Sequence, residues 1–199
     1  MDLIAVTNSR MDNSELLDIL LRIEASIDAV ILRETLKTDA EVLSLIRLLQ
    51  TANFDEEKII VHGRADIALL TGIRRVQLPG HALPVDKLRQ HFPMLSFGRS
   101  VHSIAEAQMA YKAGADWLLY GHVFETASKN GLPPRGSEEL FKLCQSIPLP
   151  IYAIGGILPE HVNLLQSGGV SGVALMSAIF TSSSPELALS NYKVEMKLD

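Results

Sequence analysis

Residues 151–178 read IYAIGGILPEHVNLLQSGGVSGVALMSA, and the order of features in this stretch decides the fold. An apolar, β-branched run (Ile151–Ile154) ends in Gly155-Gly156, Pro159 opens a helical segment, and a second apolar run (Gly172–Met176) ends in Ser177. Strand, tight turn, helix and strand again is the unit from which parallel sheets with helical crossovers are built. The same alternation recurs outward along the chain. Strands are predicted at Leu3–Thr7, Ala29–Arg33, Ile59–His62, Arg75–Leu78, Ser96–Ser100 and Trp117–Gly121, which with the two above makes eight. Helical faces lie between them as Leu16/Leu17/Leu20/Leu21, Val42/Leu43/Ile46/Leu49 and Leu140/Phe141/Cys144. Thr38 with Glu41 and Ser103 with Glu106 read as capping boxes, and Pro159 and Pro185 suit first helical positions. Eight units in 199 residues average about 25 residues each, near the lower limit for a (β/α)8 barrel. A doubly wound open sheet would also alternate, but it usually carries a Gly-rich fingerprint after its first strand, where this chain has Asn8-Ser9-Arg10. The expectation is an α/β protein, a single TIM barrel over residues 1–199, with no linker or low-complexity tract.

Composition narrows the partners. Hydrophobic residues make up 47% of the chain and the mean hydropathy is +0.19, enough for a large core. The net charge of −5, with no basic stripe, argues against nucleic acid. No apolar run has the roughly 20 residues that span a bilayer, so no membrane partner is expected. The chain enters a strand-like segment at once, without a signal-peptide charge pattern, and the lone Cys144 falls at core spacing. Both features predict a reduced, cytoplasmic protein.

In a barrel of this kind the site is built from the loops that follow the strands. The polar residues at predicted strand ends are Thr7, Arg33-Glu34, His62, Gln77, Ser100 and His102, His122, Gly155-Gly156 and Ser177. Glycines admit close backbone approach, and the loops after strands seven and eight are the usual phosphate site, so Gly156 and Ser177 point to a phosphate-bearing ligand. Val123–Gly136, the longest irregular stretch, reads as a lid. His81, His91 and His161 read as surface residues. Carboxylates are scarce on the rim, which argues against a metal, and His122, opening the lid loop, is the candidate acid/base because imidazole titrates near neutral pH.

Laid out in order, several segments resemble the thiamin phosphate synthase family. They are Leu32-Arg33-Glu34, His62-Gly63-Arg64-Ala65-Asp66-Ile67-Ala68, Gly98-Arg99-Ser100-Val101-His102-Ser103, Gly114-Ala115-Asp116, Gly121 to Lys129, Ala153-Ile154-Gly155-Gly156-Ile157 and Met176-Ser177-Ala178-Ile179. The family, by this resemblance, joins a pyrimidine diphosphate to a thiazole phosphate and uses magnesium in a diphosphate clamp. This chain departs from it at Thr35 (Lys in the family), at His62-Gly63 (Asn-Asp) and at Pro79-Gly80-His81-Ala82, where a second aspartate is missing. Thr126, Ser128, Lys129, Gly156, Met176 and Ser177 retain the thiazole-phosphate half, and His122 replaces a family proline. That combination resembles the thiazole tautomerase (TenI-type) branch. It implies an isomerase that aromatises a carboxylated thiazoline phosphate without cofactor or metal, with His122 moving the proton. Lys129 would face the carboxylate or the developing charge, Arg33 would either do the same or form a structural ion pair with Glu34 or another carboxylate, and the assembly would be a homodimer. The alternatives are a weak thiamin phosphate synthase and a non-catalytic regulator or ligand sensor on the same scaffold.

Overall fold

The structure, a computed structural model, describes residues 1–129 and 131–196. Eight parallel strands close on themselves: β1 (Asp2–Val6), β2 (Ala29–Leu32), β3 (Ile59–His62), β4 (Arg75–Leu78), β5 (Ser96–Val101), β6 (Trp117–Gly121), β7 (Ile151–Ile154) and β8 (Gly172–Leu175), with β8 pairing back onto β1. The helices between them are α1 (Asn13–Ile23), α2 (Asp39–Thr51), α3 (Ala65–Thr71), α4 (Val85–His91), α5 (Ile104–Lys112), α6 (Ser137–Ser146) and α7 (Val162–Ser167), followed by α8 (Ser177–Phe180) and α9 (Pro185–Glu195). The fold is the expected (β/α)8 TIM barrel. None of the described helices is long and apolar enough to cross a membrane.

Alternation along each strand divides the apolar residues into two sets. Leu3, Ala5, Val30, Leu32, Val61, Val76, Phe97, Leu118, Tyr120, Val173 and Leu175 face the helices. Ile4, Val6, Ala29, Ile31, Ile60, Trp117, Leu119, Tyr152 and Ala174 fill the barrel interior. Trp117 dominates that interior, and Gly98 on the adjacent strand makes room for it: a Cβ there would lie 2.0 Å from the indole Nε1. The indole N–H donates to Gln77 Oε1 at 2.8 Å, and Gln77 Nε2 donates to Ser100 Oγ at 3.1 Å, so the buried polar pair is satisfied. The Arg75 guanidinium lies 5.3 Å from the indole ring centre.

Of the expected caps, Thr38 and Glu41 form the full reciprocal box at α2. At α5 only half forms: Ser103 Oγ accepts from Glu106 N, but the Glu106 carboxylate accepts from His102 N at 2.8 Å instead. Cys144 is half-buried against the core, and burial pushes its thiol up to about 11.

Candidate active site

His122, the first residue beyond β6, is buried under the loop that follows it. Its Nε2 lies 3.2 Å from the Leu132 carbonyl. A carbonyl only accepts, so this bond assigns a proton to Nε2. The loop returns on itself: Arg135 N donates to His122 O and Gly136 N to Val123 O, both at 3.0 Å. On its other side, Val123 N donates to Ile154 O and Phe124 N to Gly155 O, also at 3.0 Å, which prolongs the β6–β7 pairing beyond the strands.

The Gly155-Gly156 turn seats this loop. Both glycines have positive φ (99° and 65°). A Cβ on Gly155 would lie 2.4 Å from the His122 Cβ, and one on Gly156 would lie 2.2 Å from the Glu125 carbonyl oxygen. The pair therefore packs against the backbone that carries His122, a task its sequence did not reveal beside its expected role as anion cradle. His161, expected at the surface, is half-buried: it stacks on Phe124 with ring centres 3.8 Å apart and accepts from Leu158 N at 3.1 Å.

A cavity of about 320 Å³ opens under the loop, lined by His102, His122, Lys129, Leu132, Pro133 and Arg135. Two expected site residues, His122 and Lys129, line it. Thr126, Ser128 and Lys129 sit on one turn, where Lys129 N donates to Thr126 O at 3.0 Å and Ser128 N to Thr126 Oγ1 at 3.4 Å. Gly156, Met176 and Ser177 follow β7 and β8; Met176 packs on the barrel interior and Ser177 opens the single turn of α8. Arg33 stands across the barrel mouth, outside the cavity lining. Arg135 and Leu132 were not anticipated; the one signal was their place in the long loop. His102 holds the Gly121 carbonyl with Nδ1, and so braces the residue before His122.

The sequence profile of the family described as thiamine monophosphate synthase matches residues 3–179. The chain belongs to the thiamine monophosphate synthase family. It is 41% identical over 131 residues to a thiamine-phosphate synthase from Chlorobium luteolum (65% of this chain, 62% of that one). It is 38% identical over 123 residues to a thiamine-phosphate synthase from Pyrococcus abyssi (62% and 59%). The matched region thus spans less than two thirds of these relatives. A solved thiamine phosphate pyrophosphorylase from Pyrococcus furiosus superimposes with a TM-score of 0.82 at 27% identity, covering 98% of this chain and 95% of that one.

These findings correct the expected branch. Relatives at 34–41% identity carry the synthase name, and the tautomerase, isomerase and TenI assignments give way to it. Physically, the departures at Thr35, His62-Gly63 and Gly80-His81 tell which groups are missing from one arc of the rim. They do not tell which reaction the intact arc serves, and a cavity that holds Lys129 and Arg135 beside two histidines has more cationic provision than a single proton shuttle needs.

The magnesium that the family resemblance implies can be tested against the donors present. Magnesium takes oxygen ligands at about 2.0–2.1 Å in near-octahedral array. The ends of β3 and β4 offer His62, Gly63, Pro79, Gly80 and His81, with no carboxylate. Glu34, after β2, is ion-paired with Lys37 at 2.8 Å. No group of three or more metal-binding side chains is gathered among the described residues. The residues do not fit a family-type magnesium clamp.

Proposed function

We propose that this chain is a weak thiamin phosphate synthase, a transferase that joins a pyrimidine methyl diphosphate to a thiazole phosphate. The identity to named thiamine-phosphate synthases carries this reading. The retained Thr126, Ser128, Lys129, Gly156, Met176 and Ser177 support it for the thiazole-phosphate half. In the reaction, a thiazole ring nitrogen supplies the electron pair for the new carbon–nitrogen bond. The carbon–oxygen bond to diphosphate breaks, and the diphosphate departs with the bonding pair of that broken bond.

Each residue's part follows from its place. The phosphate tail lies at the ends of β7 and β8, where Gly156 has no side chain and Ser177 brings a hydroxyl. The α8 turn leaves its first N–H groups without intrahelical partners. Thr126 and Ser128 close that end from the β6 loop. His122 faces the rings in the cavity, and Lys129 steadies the negative charge that grows on the departing group. Arg33 meets that charge from across the mouth. Positioning of the two substrates supplies most of the acceleration. The loss of the carboxylate clamp is the reason turnover is low.

A homodimer and cytoplasmic residence belong to the same proposal, supported by the family resemblance and by the lone half-buried cysteine. The test is direct: incubation with both substrates and mass-spectrometric detection of thiamine phosphate. Formation of the product, lost in Lys129→Ala, supports the reading; no product at any substrate concentration overturns it.

A further inference from the structure

The cavity under the β6 loop has basic groups on its wall and no acid: His102, His122, Lys129 and Arg135 line it with Leu132 and Pro133. The backbone ties both loop cations to His122. The His122 ring meets the Leu132 carbonyl, and Leu132 N donates to Lys129 O at 3.1 Å. The His122 carbonyl accepts from Arg135 N at 3.0 Å, and α6 begins at Ser137. The loop thus fixes where the two long side chains start, while the side chains themselves stay exposed at the cavity edge.

Among the described residues, neither the Lys129 nor the Arg135 side chain makes a hydrogen bond or an ion pair. The acids around them are engaged or distant. Glu139, in the first turn of α6, accepts from Ile104 N at 2.8 Å and from the Tyr120 hydroxyl at 3.2 Å, one bond to each carboxylate oxygen. Glu106 accepts from His102 N at 2.8 Å. Glu125 and Glu138 are exposed to water. Glu34, buried with Lys37, follows β2, which stands opposite β6 in the ring of eight strands. A concave wall of positive groups without a counter-charge concentrates anions.

We propose that Arg135 is a catalytic residue of the transfer, its guanidinium receiving the diphosphate in the loop cavity as that group departs. When the carbon–oxygen bond breaks, its bonding pair stays on the released oxygen, and the diphosphate gains one unit of negative charge. No proton moves, and Arg135 stays cationic throughout. Its planar fork bonds two phosphate oxygens at once, where the Lys129 ammonium supplies a point charge. The ends of β3 and β4 do not fit a magnesium clamp, so neutralising the leaving group falls to side chains, and Arg135 is the cation that the β6 loop adds to Lys129. The catalytic role rests on the transferase reading; the anion-binding cavity does not.

The test pairs an assay of thiamine phosphate formation by the full chain in EDTA with calorimetric titration of inorganic diphosphate in the same buffer. Arg135→Gln lowers kcat by about 10²-fold with a smaller change in KM, because the added charge appears only as the bond breaks. Arg135→Lys recovers part of the loss by keeping the charge without the fork. Diphosphate affinity falls about tenfold in Arg135→Gln, the worth of one charge-assisted contact. Arg47→Gln, which removes an exposed charge on α2, changes neither quantity. Urea midpoints for each variant separate lost binding from lost folding. Wild-type kcat and wild-type diphosphate affinity in Arg135→Gln, or equal losses in Arg47→Gln, overturn the assignment. If the wild-type chain forms no thiamine phosphate, the transferase reading falls, and diphosphate binding that still depends on Arg135 keeps the anion cavity.

Discussion

Gly156→Ala separates what a glycine does for its own backbone from what it does for a neighbour, and Gly72→Ala is its control. Both residues have positive φ, 65° at Gly156 and 77° at Gly72. An alanine in that region costs about 1 kcal/mol. At Gly72, the C-cap of α3, a Cβ meets nothing within 4 Å, so that figure is the whole effect. At Gly156 the Cβ would lie 2.2 Å from the Glu125 oxygen and 2.7 Å from the Phe124 carbonyl carbon. Comfortable contact is near 3.5 Å, so the β6 loop must retreat by on the order of 1 Å. The retreat breaks the Phe124 N–Gly155 O hydrogen bond and parts Phe124 from His161. A hydrogen bond is worth about 1 kcal/mol and an aromatic pair about 0.5–1.5 kcal/mol. The expected losses are about 1 kcal/mol for Gly72→Ala and about 2.5–3.5 kcal/mol for Gly156→Ala. Urea unfolding at a shared m-value measures both. Equal destabilisation by the two variants would refute the claim that Gly156 seats the His122 loop.

Gly98→Ala, whose Cβ would meet the indole at 2.0 Å inside the barrel, should cost more than 2 kcal/mol, and Trp117→Leu in the same chain should recover part of that in a double-mutant cycle. Asp116 receives Phe97 N at 2.7 Å and Arg89 Nη2 at 2.6 Å, so Asp116→Ala should lower stability by about 1–3 kcal/mol by leaving both donors short. His62, held near 4 by burial and by Arg33 and His81, binds its proton more readily in the unfolded chain, where imidazole titrates near about 6.5. Stability should therefore fall as pH drops from about 6.5 toward 4, with a slope of at most about 1.4 kcal/mol per pH unit from this group. The wild-type minus His62→Gln difference in urea midpoints across that window isolates it, and a flat difference refutes the assignment.

The strands were legible because a parallel barrel buries both faces of every strand, so each appears as a short continuous apolar run. Four of the eight have the expected bounds; in the other four Thr7, Arg33 and Met176 lie just beyond the ladder while Val101 stays in it, and β1 also begins one residue early, at Asp2. His122 and Lys129 were legible as rim residues. Arg135 was not: it reaches the cavity through a loop return fixed by two backbone hydrogen bonds, and nothing in Pro133-Pro134-Arg135 announces them. The Gly155-Gly156 pair was seen, but its closest partner, the Glu125 carbonyl, lies about thirty positions away, beyond any local pattern. His161 was assigned to the surface for the same reason. The branch of the family was misread because missing ligands at Gly63 and Ala82 describe an absence, whereas reaction class is carried by the whole aligned chain.

Trp117 is the chain's only tryptophan, and its partners run from the barrel interior up to the mouth. The indole leans on Gln77, which leans on Ser100 at the rim, with Arg75 against the ring. The protein thus carries a built-in optical gauge. Its emission comes from one buried chromophore wired by two hydrogen bonds to Ser100, toward the C-terminal end of β5. A ligand that claims the Ser100 hydroxyl turns the Gln77 amide and changes the dipole against which the excited indole relaxes. Occupancy of the mouth becomes a shift in emission colour, readable without label, coupled enzyme or reaction.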